Sequence, residues 1–232
     1  MKLRKDVRAL SLLMVIALVG AIFVPAVSAD NVEISNSVQL DENLQAGDFI
    51  ISNSNSCVKA SEILKNIDPE FYQNLSEDQK KEFDNMDVNI PDLNDPEGTS
   101  EFNIKAIKEE SDSKTTFEIT AYISGYVDIN YDSWLGLNGA FYEAKQTSTV
   151  LMPEMETKAY LNYRPNSNSN WVVKGSAEEA ATYCYTVEAG DVEWSPDDGD
   201  YQTVGTIYGV FPPGFVPLTY FEVANSRIMT LS

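Results

Sequence analysis

The stretch from Thr115 to Tyr131 constrains the fold of this chain more than any other, because apolar and polar residues alternate along it. A two-residue period is typical of a β-strand with one buried and one solvent-exposed face, and no helical spacing fits it. Gly125 falls on the apolar face of this long strand and indicates a bend or bulge there. The apolar face comprises Phe117, Ile119, Ala121, Ile123, Val127 and Ile129.

Further β-strand signals continue to the C-terminus. Eleven of the 12 tyrosines and all three tryptophans lie beyond Lys114, and aromatic residues favour strands. Short alternating segments separated by turn sequences predict about seven strands over residues 115–232, including separate strands at Asn138–Met152 and Glu156–Arg164 that Pro153 divides. This pattern favours an antiparallel β-sandwich of immunoglobulin-like architecture, although the Cys, Trp, Cys spacing of immunoglobulin domains is absent.

Residues 30–114 are predicted to form an N-terminal arm of loops and two or three short helices. Asp68-Pro69 ends one helix and suits the first turn of another. Ser76 followed by Gln79 forms a capping-box pattern, which predicts a helix over Ser76–Met86. Phe49–Ile51 is interpreted as a short strand, and Asp87 to Glu101 as a loop.

Residues 1–29 have the layout of a secretory signal peptide. A basic N-terminal region precedes an apolar run from Ala9 to Val24, and Val27-Ser28-Ala29 supplies the small residues of a cleavage site. We therefore expect a secreted or cell-surface protein with no membrane span after cleavage. An uncleaved membrane anchor is the alternative, because the apolar run is slightly shorter than a comfortable span.

The chain is strongly acidic, with 36 Asp+Glu against 16 Lys+Arg and a net charge of −20. Cleavage after Ala29 removes four of the basic residues and one of the acidic residues, which changes the net charge to −23. Such a charge argues against nucleic acid and acidic lipid as partners and favours basic partners or divalent cations. Adaptation of the whole surface to a saline environment would produce the same composition.

The chain contains no histidine. This absence removes Ser–His and Cys–His nucleophilic pairs, most zinc sites and the commonest general base at neutral pH. Carboxylates are the reagents that remain for catalysis, as in glycoside hydrolysis. We therefore expect a non-catalytic protein without a cofactor, and keep a carboxylate-dependent hydrolase as an alternative.

Two cysteines and one sequon are candidate sites of covalent modification. In an exported chain, Cys57 and Cys184 are predicted to form a disulfide that pins the arm to the β-domain. Two free thiols are the alternative. Asn74-Leu75-Ser76 is the single N-x-S/T sequon, which makes Asn74 a candidate for glycosylation.

Two groups of residues are candidates for ligand binding. An acidic hairpin offers oxygen ligands for calcium, although its spacing does not match an EF-hand loop; its acids are Asp191, Glu193, Asp197, Asp198 and Asp200. Exposed aromatic rings flanked by hydrogen-bonding groups suit the flat faces of sugars, and the candidates are Tyr122, Tyr126, Trp134 and Trp194. A solvated turn and aromatic residues covered by the rest of the protein are the respective alternatives.

These observations favour a non-catalytic interaction or structural protein at the cell envelope, with an envelope protein or a polysaccharide as its partner. Carbohydrate binding through the exposed aromatic residues is the second hypothesis, and a hydrolase is the third.

Overall fold

The computed structural model describes residues 42–111, 116–134 and 137–232. The predicted signal peptide at 1–29 and the predicted domain boundary between residues 114 and 115 lie outside this part of the chain. Within it, no helix is both long enough and apolar enough to cross a membrane. The fold is mainly β, as predicted, and all its strand pairings are antiparallel.

The described residues form four helices and nine strands. The helices are α1 (Glu42–Ser52), α2 (Ala60–Ile67), α3 (Pro69–Asn74) and α4 (Glu77–Asn85). The strands are β1 (Ser56–Lys59), β2 (Asp87–Ile90), β3 (Glu101–Ser111), β4 (Thr116–Trp134), β5 (Leu137–Arg164), β6 (Val172–Trp194), β7 (Gly199–Val210), β8 (Thr219–Asn225) and β9 (Met229–Leu231). β1 and β2 form a two-stranded ribbon, and the other seven strands form one sheet.

The 28-residue strand β5 organises the large sheet. Its N-terminal half pairs with β4, from Leu137 to Ser148, and its C-terminal half pairs with β7, from Glu154 to Arg164. β6 lies along the other edge of both halves. Pro153 does not end β5 as predicted, because the ladder to β7 begins only after it and the register with β6 is irregular just before it.

The sheet curls over a set of buried residues that we call the inner core. These residues include Ile123, Val127, Met155, Leu161, Ile207 and Tyr220. The curl brings β3 to the β7–β8 connection, where the backbones of Ile107 and Val216 exchange two hydrogen bonds. This curled, half-barrel sheet differs from the predicted immunoglobulin-like sandwich, because its two halves share β5 and are not separate sheets.

Gly125 does not produce the predicted bulge. β4 pairs with β3 and β5 through this position without a register shift. The glycine is required for a close approach, because a Cβ there would collide with the Lys145 carbonyl oxygen and the Phe102 ring.

The four helices cover the opposite side of the β5–β7–β8 half. They bury a second apolar cluster, the helix-facing core, which includes Ile63, Leu64, Phe71, Phe83, Tyr160 and Tyr208. The capping box at Ser76 and Gln79 is present and opens α4, as predicted. Two strand and loop predictions in the arm are wrong: Phe49–Ile51 lies in helix α1, and Asp87–Ile90 forms β2.

Two carboxylates attach the helices to the sheet. Glu82 of α4 accepts hydrogen bonds from the backbone N–H groups of Leu218 and Thr219 and from the Thr219 hydroxyl, at 2.8–3.1 Å. Asp68, between α2 and α3, accepts a 2.8 Å hydrogen bond from the Tyr208 hydroxyl. Hydrogen bonds to a charged acceptor are stronger than those between neutral groups, so these contacts fix how the helices dock.

The predicted disulfide is not formed, because Cys57 and Cys184 are both free thiols. Cys57 is exposed on β1, next to the helices. The alternation of β6 is interrupted at Tyr183, whose φ is +50°, and Cys184 packs against the inner core on the other side of the sheet. The two thiols therefore belong to different layers of the protein.

We predict that an alkylating reagent modifies Cys57 in the folded, unreduced protein and modifies Cys184 when the unreduced protein is unfolded. The half-buried Cys184 should react more slowly in the native state. The Cys57→Ala variant should unfold at the same temperature as the wild type, because Cys57 contributes no cross-link. Mass spectrometry of the labelled protein measures both sites, and protection of both cysteines in denaturant without reductant would contradict the structure.

Candidate ligand-binding face

The side of β4, β5 and β6 that points away from the inner core forms the outer face, and its residues lie in cross-strand rows. The rows are Tyr126–Lys145–Glu188, Asp128–Glu143–Gly190, Asn130–Phe141–Val192 and Asp132–Gly139–Trp194. Each row takes one residue from each strand, in the order β4, β5, β6. Phe141 and Trp194 therefore lie at one end of the face, and the Lys145–Glu188 pair lies at the other.

Trp194 and Phe141 form an exposed aromatic pair. Their ring centroids are 6.0 Å apart in an edge-to-face arrangement, and the residues are 46% and 37% exposed. Gly139 leaves room for Val192 and the Phe141 ring, since a Cβ there would lie 2.7 Å from Val192 Cγ2 and 3.2 Å from the Phe141 ring. The pair presents apolar surface to solvent, which is the property required of a platform for a flat ligand.

A groove with a volume of about 580 Å³ adjoins this pair. Among the described residues, its lining includes the Phe141 ring, the Asn130 amide and four carboxylates, and no Lys or Arg. The carboxylates are Asp132, Glu143, Glu188 and Asp191. An aromatic wall beside hydrogen-bond acceptors is the usual composition of a polar-ligand site.

The charged end of the outer face is internally paired. Lys145 forms a 2.5 Å ion pair with Glu188, and this pairing raises the pKa of Lys145. Burial and the neighbouring Glu143 raise the pKa of Tyr126. Because Tyr126 and Lys145 are already bound to carboxylates, the free hydrogen-bonding capacity of the face lies nearer the aromatic pair.

The four predicted aromatic residues are placed differently. Tyr122 is exposed on β4, Tyr126 lies in the charged row, and Trp194 belongs to the aromatic pair. Trp134 ends β4 opposite Leu137, and its side chain lies outside the described part. Phe141 was not predicted, although its place two residues after Gly139 and two before Glu143 follows the alternation of β5.

The acids of the predicted calcium site do not converge. Asp197 and Glu193 flank Lys174, at 2.7 and 4.0 Å, and Asp200 is buried in an ion pair with Arg164 at 2.9 Å. Asp191 accepts a hydrogen bond from the Val192 backbone, and the Asp198 carbonyl accepts one from Tyr163. Among the described residues, no group of three or more acids or cysteines is arranged to hold a metal ion.

A buried carboxyl cluster lies beneath the helices, on the side of the sheet that points away from the inner core and toward the other end of β5 from the groove. Lys158 of β5 lies 3.1 Å from Glu156, 2.7 Å from Glu178 and 3.5 Å from Asp68. Asp68 and Glu156 are hydrogen-bonded to each other. A cavity of about 470 Å³ adjoins the cluster. Sequence analysis missed this group because Asp68 and Glu156 are 88 residues apart in the chain, and no local pattern links them.

The two hydrogen-bonded carboxyl groups have opposite pKa shifts. Burial and the hydrogen bond to Asp68 raise the pKa of Glu156 to about 8. Burial also acts to raise the pKa of Asp68, but hydrogen bonds from Glu156 and the Phe71 backbone N–H outweigh it and hold that pKa below its ordinary value. Glu156 therefore carries the proton at neutral pH, and Asp68 is ionised.

The sequon residue Asn74 is exposed at the C-terminal end of α3. The hydroxyl of Ser76, the third residue of the sequon, caps α4. Glycosylation of Asn74 stays a prediction from the sequence.

Comparison of the chain with protein-family models, with curated proteins and with solved structures gives no match. The function is therefore argued from the geometry of the two sites.

We predict that protein stability falls between about pH 5 and pH 8 and that Glu156→Gln abolishes most of this fall. A carboxyl whose pKa is raised on folding binds a proton that the unfolded chain has released, so its stabilising effect is lost as pH rises through the folded pKa. Asp68 has the opposite effect on stability. Because folding lowers its pKa, its stabilising effect is lost only as the pH falls below about 4. The Gln amide reproduces protonated Glu156, since it donates to Asp68 and accepts from Lys158.

Urea unfolding at pH 5 and pH 8.5 measures the effect. The variant should match the wild type at pH 5 and exceed it at pH 8.5, by on the order of a few kcal/mol. Glu97→Gln, at an exposed loop position, is the matched control. It should leave the free energy of unfolding unchanged at both pH values. Equal losses of stability in the wild type and in Glu156→Gln would contradict the assignment of the proton to Glu156.

Proposed function

We propose that this chain is an exported, non-catalytic recognition protein that binds carbohydrate on its outer face. The observation that carries the proposal is the exposed Phe141–Trp194 pair beside a groove of carboxylate and amide groups. The C–H faces of a sugar ring pack against aromatic rings, and its hydroxyls donate to carboxylate oxygens. Export is inferred from the signal-peptide layout of residues 1–29.

The charge of the groove limits the class of carbohydrate. Four carboxylates and no Lys or Arg line it, and the whole chain carries a net charge of −20. Acidic polysaccharides would be repelled by the carboxylates of the groove and by the acidic surface around it. This repulsion slows their association and weakens their binding. Neutral or amine-bearing polysaccharides are therefore the proposed ligands.

The buried carboxyl cluster gives little support to the hydrolase hypothesis. Glycoside hydrolysis requires two carboxyl groups separated by about 5–9.5 Å, so that a sugar or a water molecule fits between them. Asp68 and Glu156 are in direct hydrogen-bond contact, which leaves no such space. Asp68 is also engaged by the Phe71 backbone and by the Tyr208 hydroxyl, as expected of a structural group.

A protein partner is the second candidate, favoured by a separate surface on β6. Tyr183 and Tyr185 are 76% and 54% exposed, and Leu151 is exposed beside the same β5–β6 register irregularity. In the described part of the chain, β6 pairs only with β5, so its other edge is unpaired. Tyrosine-rich surfaces are common in protein interfaces, and the nearby Glu178 and Glu179 favour a basic partner.

We predict that the purified protein is retained on insoluble neutral or amine-bearing polysaccharides and that Trp194→Ala weakens retention about tenfold or more. Truncation of an aromatic anchor in a binding site typically costs at least 1–2 kcal/mol. Phe141→Ala should have a similar effect. Cellulose and chitosan serve as test matrices, a pectin matrix serves as the acidic comparison, and the depletion of protein from solution is measured.

The control is Tyr185→Ala, which removes an equally exposed ring away from the groove. It should bind polysaccharide like the wild type. Retention that both Trp194→Ala and Tyr185→Ala leave unchanged, or retention on pectin alone, would overturn the carbohydrate proposal. Retention on isolated cell envelopes that soluble sugar does not release, and that Tyr185→Ala reduces, would support the protein-partner candidate.

A further inference from the structure

The junction between α2 and α3 lies directly over the buried carboxyl cluster. We call residues 68–71 the α2–α3 corner. Asp68 is the residue after α2 and the N-cap of α3, where its carboxylate accepts a 2.9 Å hydrogen bond from the Phe71 N–H. The other oxygen of the same carboxylate faces the sheet and accepts from Tyr208. One side chain therefore holds the corner together and attaches it to the sheet.

The charges around Glu156 are strongly unbalanced. Carboxylates face it from three elements, and Lys158 is the one cation among the residues that line the cavity. The acids are Asp68 and Glu70 at the corner, Glu154 on β5, and Glu178 and Glu179 on β6. Lys158 already bridges Glu178 and Asp68. Its single positive charge cannot balance a further buried carboxylate.

We propose that the α2–α3 corner is a pH-sensitive latch, which the proton shared by Asp68 and Glu156 holds closed on the sheet and which opens when that proton is lost. Loss of the proton removes the only hydrogen bond between the two carboxyl groups and replaces it with repulsion between like charges in a buried place. One of the two groups belongs to the helices and the other to β5, so the repulsion acts across the interface between them.

The opening is confined to the corner because the rest of the helical layer has its own attachments. Glu82 holds α4 to the start of β8 through hydrogen bonds that do not involve the cluster. Phe83, Ile63 and Leu64 are fully buried in the helix-facing core. At the corner itself, the main apolar contact is the Phe71 ring against the Tyr208 ring, with centroids 4.9 Å apart.

Opening of the corner changes the surface that the protein presents. Phe71 and Tyr208 are buried in the closed state, and separating them exposes aromatic surface next to an existing cavity of about 470 Å³. The titrating group that controls this change is a carboxyl with a pKa of about 8. The corner is thus closed in mildly acidic surroundings and open in mildly alkaline ones.

Backbone hydrogen exchange followed by mass spectrometry tests the latch on the purified protein. The wild type and Glu156→Gln are compared at the same pH, at pH 5, 7 and 9, so that the intrinsic dependence of exchange on pH cancels. Peptides covering residues 68–74 should exchange alike at pH 5. At pH 9, they should exchange at least tenfold faster in the wild type than in Glu156→Gln, while peptides from α4 stay equally protected.

Two further variants separate the latch from general effects of charge. Asp68→Asn keeps the capping oxygen and removes the charge that an ionised Glu156 would repel, but its amide nitrogen cannot accept from Tyr208. Its corner should therefore exchange faster than that of the wild type at pH 5, and the ratio of its exchange rate to that of Glu156→Gln should not change between pH 5 and pH 9. Glu222→Gln is the matched control: Glu222 is a carboxyl on β8 whose pKa burial raises. It alternates with the helix-facing Phe221 and Val223, so it lies on the other side of the sheet. This variant should exchange at the corner like the wild type.

Equal exchange at the corner in the wild type and Glu156→Gln at pH 9 would overturn the proposal. So would faster exchange of all four helices together, because that pattern means global unfolding and not a local opening. Neither outcome bears on the proposed carbohydrate binding, which is placed near residues 141–143 at the other end of β5 and is tested by separate variants.

Discussion

The hydrogen bonds of β5 are the constraint on which the rest of the structure depends. Residues 137–148 pair with β4, and residues 154–164 pair with β7, so one strand carries both halves of the curled sheet. β6 pairs with both halves and crosses the irregularity near Met152. The position of the outer face relative to the helix-covered half is therefore set by the backbone of a single hairpin, which is far stiffer than a pair of sheets joined by loops.

Scarcity of positive charge determines what the surfaces of this protein can do. Among the described residues, four groups of acids are each held by one basic residue: Lys158 under the helices, Arg164 beside Asp200, Lys174 at the β6–β7 turn, and Lys145 on the outer face. In the groove beside Phe141, Lys145 and Tyr126 already engage Glu188 and Glu143. The other two groove carboxylates, Asp132 and Asp191, form no ion pair with a described basic residue, so they are the acceptors left for a ligand.

Local patterns in the sequence predicted several of the elements but not their partners. Alternation between residues 116 and 131 predicts β4, and the Ser76 and Gln79 pattern predicts the start of α4, because both signals act over a few residues. The sharing of β5 depends on pairings that span up to about 60 residues, and the sequence contains no local signal of it. Pro153 indicated two separate strands. The register irregularity between β5 and β6, which lets β5 continue through this proline, is visible only in the folded structure.

The candidate sites were predictable to different degrees for the same reason. Trp194 is identifiable from its residue type in a polar hairpin. The Asp68–Glu156 contact joins residues from distant parts of the chain, and no local pattern indicates that the helices cover the polar face of β5. The cysteine pairing was wrong because a single positive φ at Tyr183 changes the side of the sheet on which Cys184 lies.

The separation along the chain between the helices and their docking partners has a consequence for how the protein is made. Asp68 meets Tyr208 across 140 residues, and Glu82 meets Thr219 across 137. The helices are synthesised first, yet their apolar faces have no surface to bury against until β7 and β8 have emerged. Folding is therefore dominated by non-local contacts and must be slow relative to that of a helical bundle. During synthesis, the apolar faces of the helices therefore stay exposed until the last strands have been made, which is the period in which the chain is prone to aggregate.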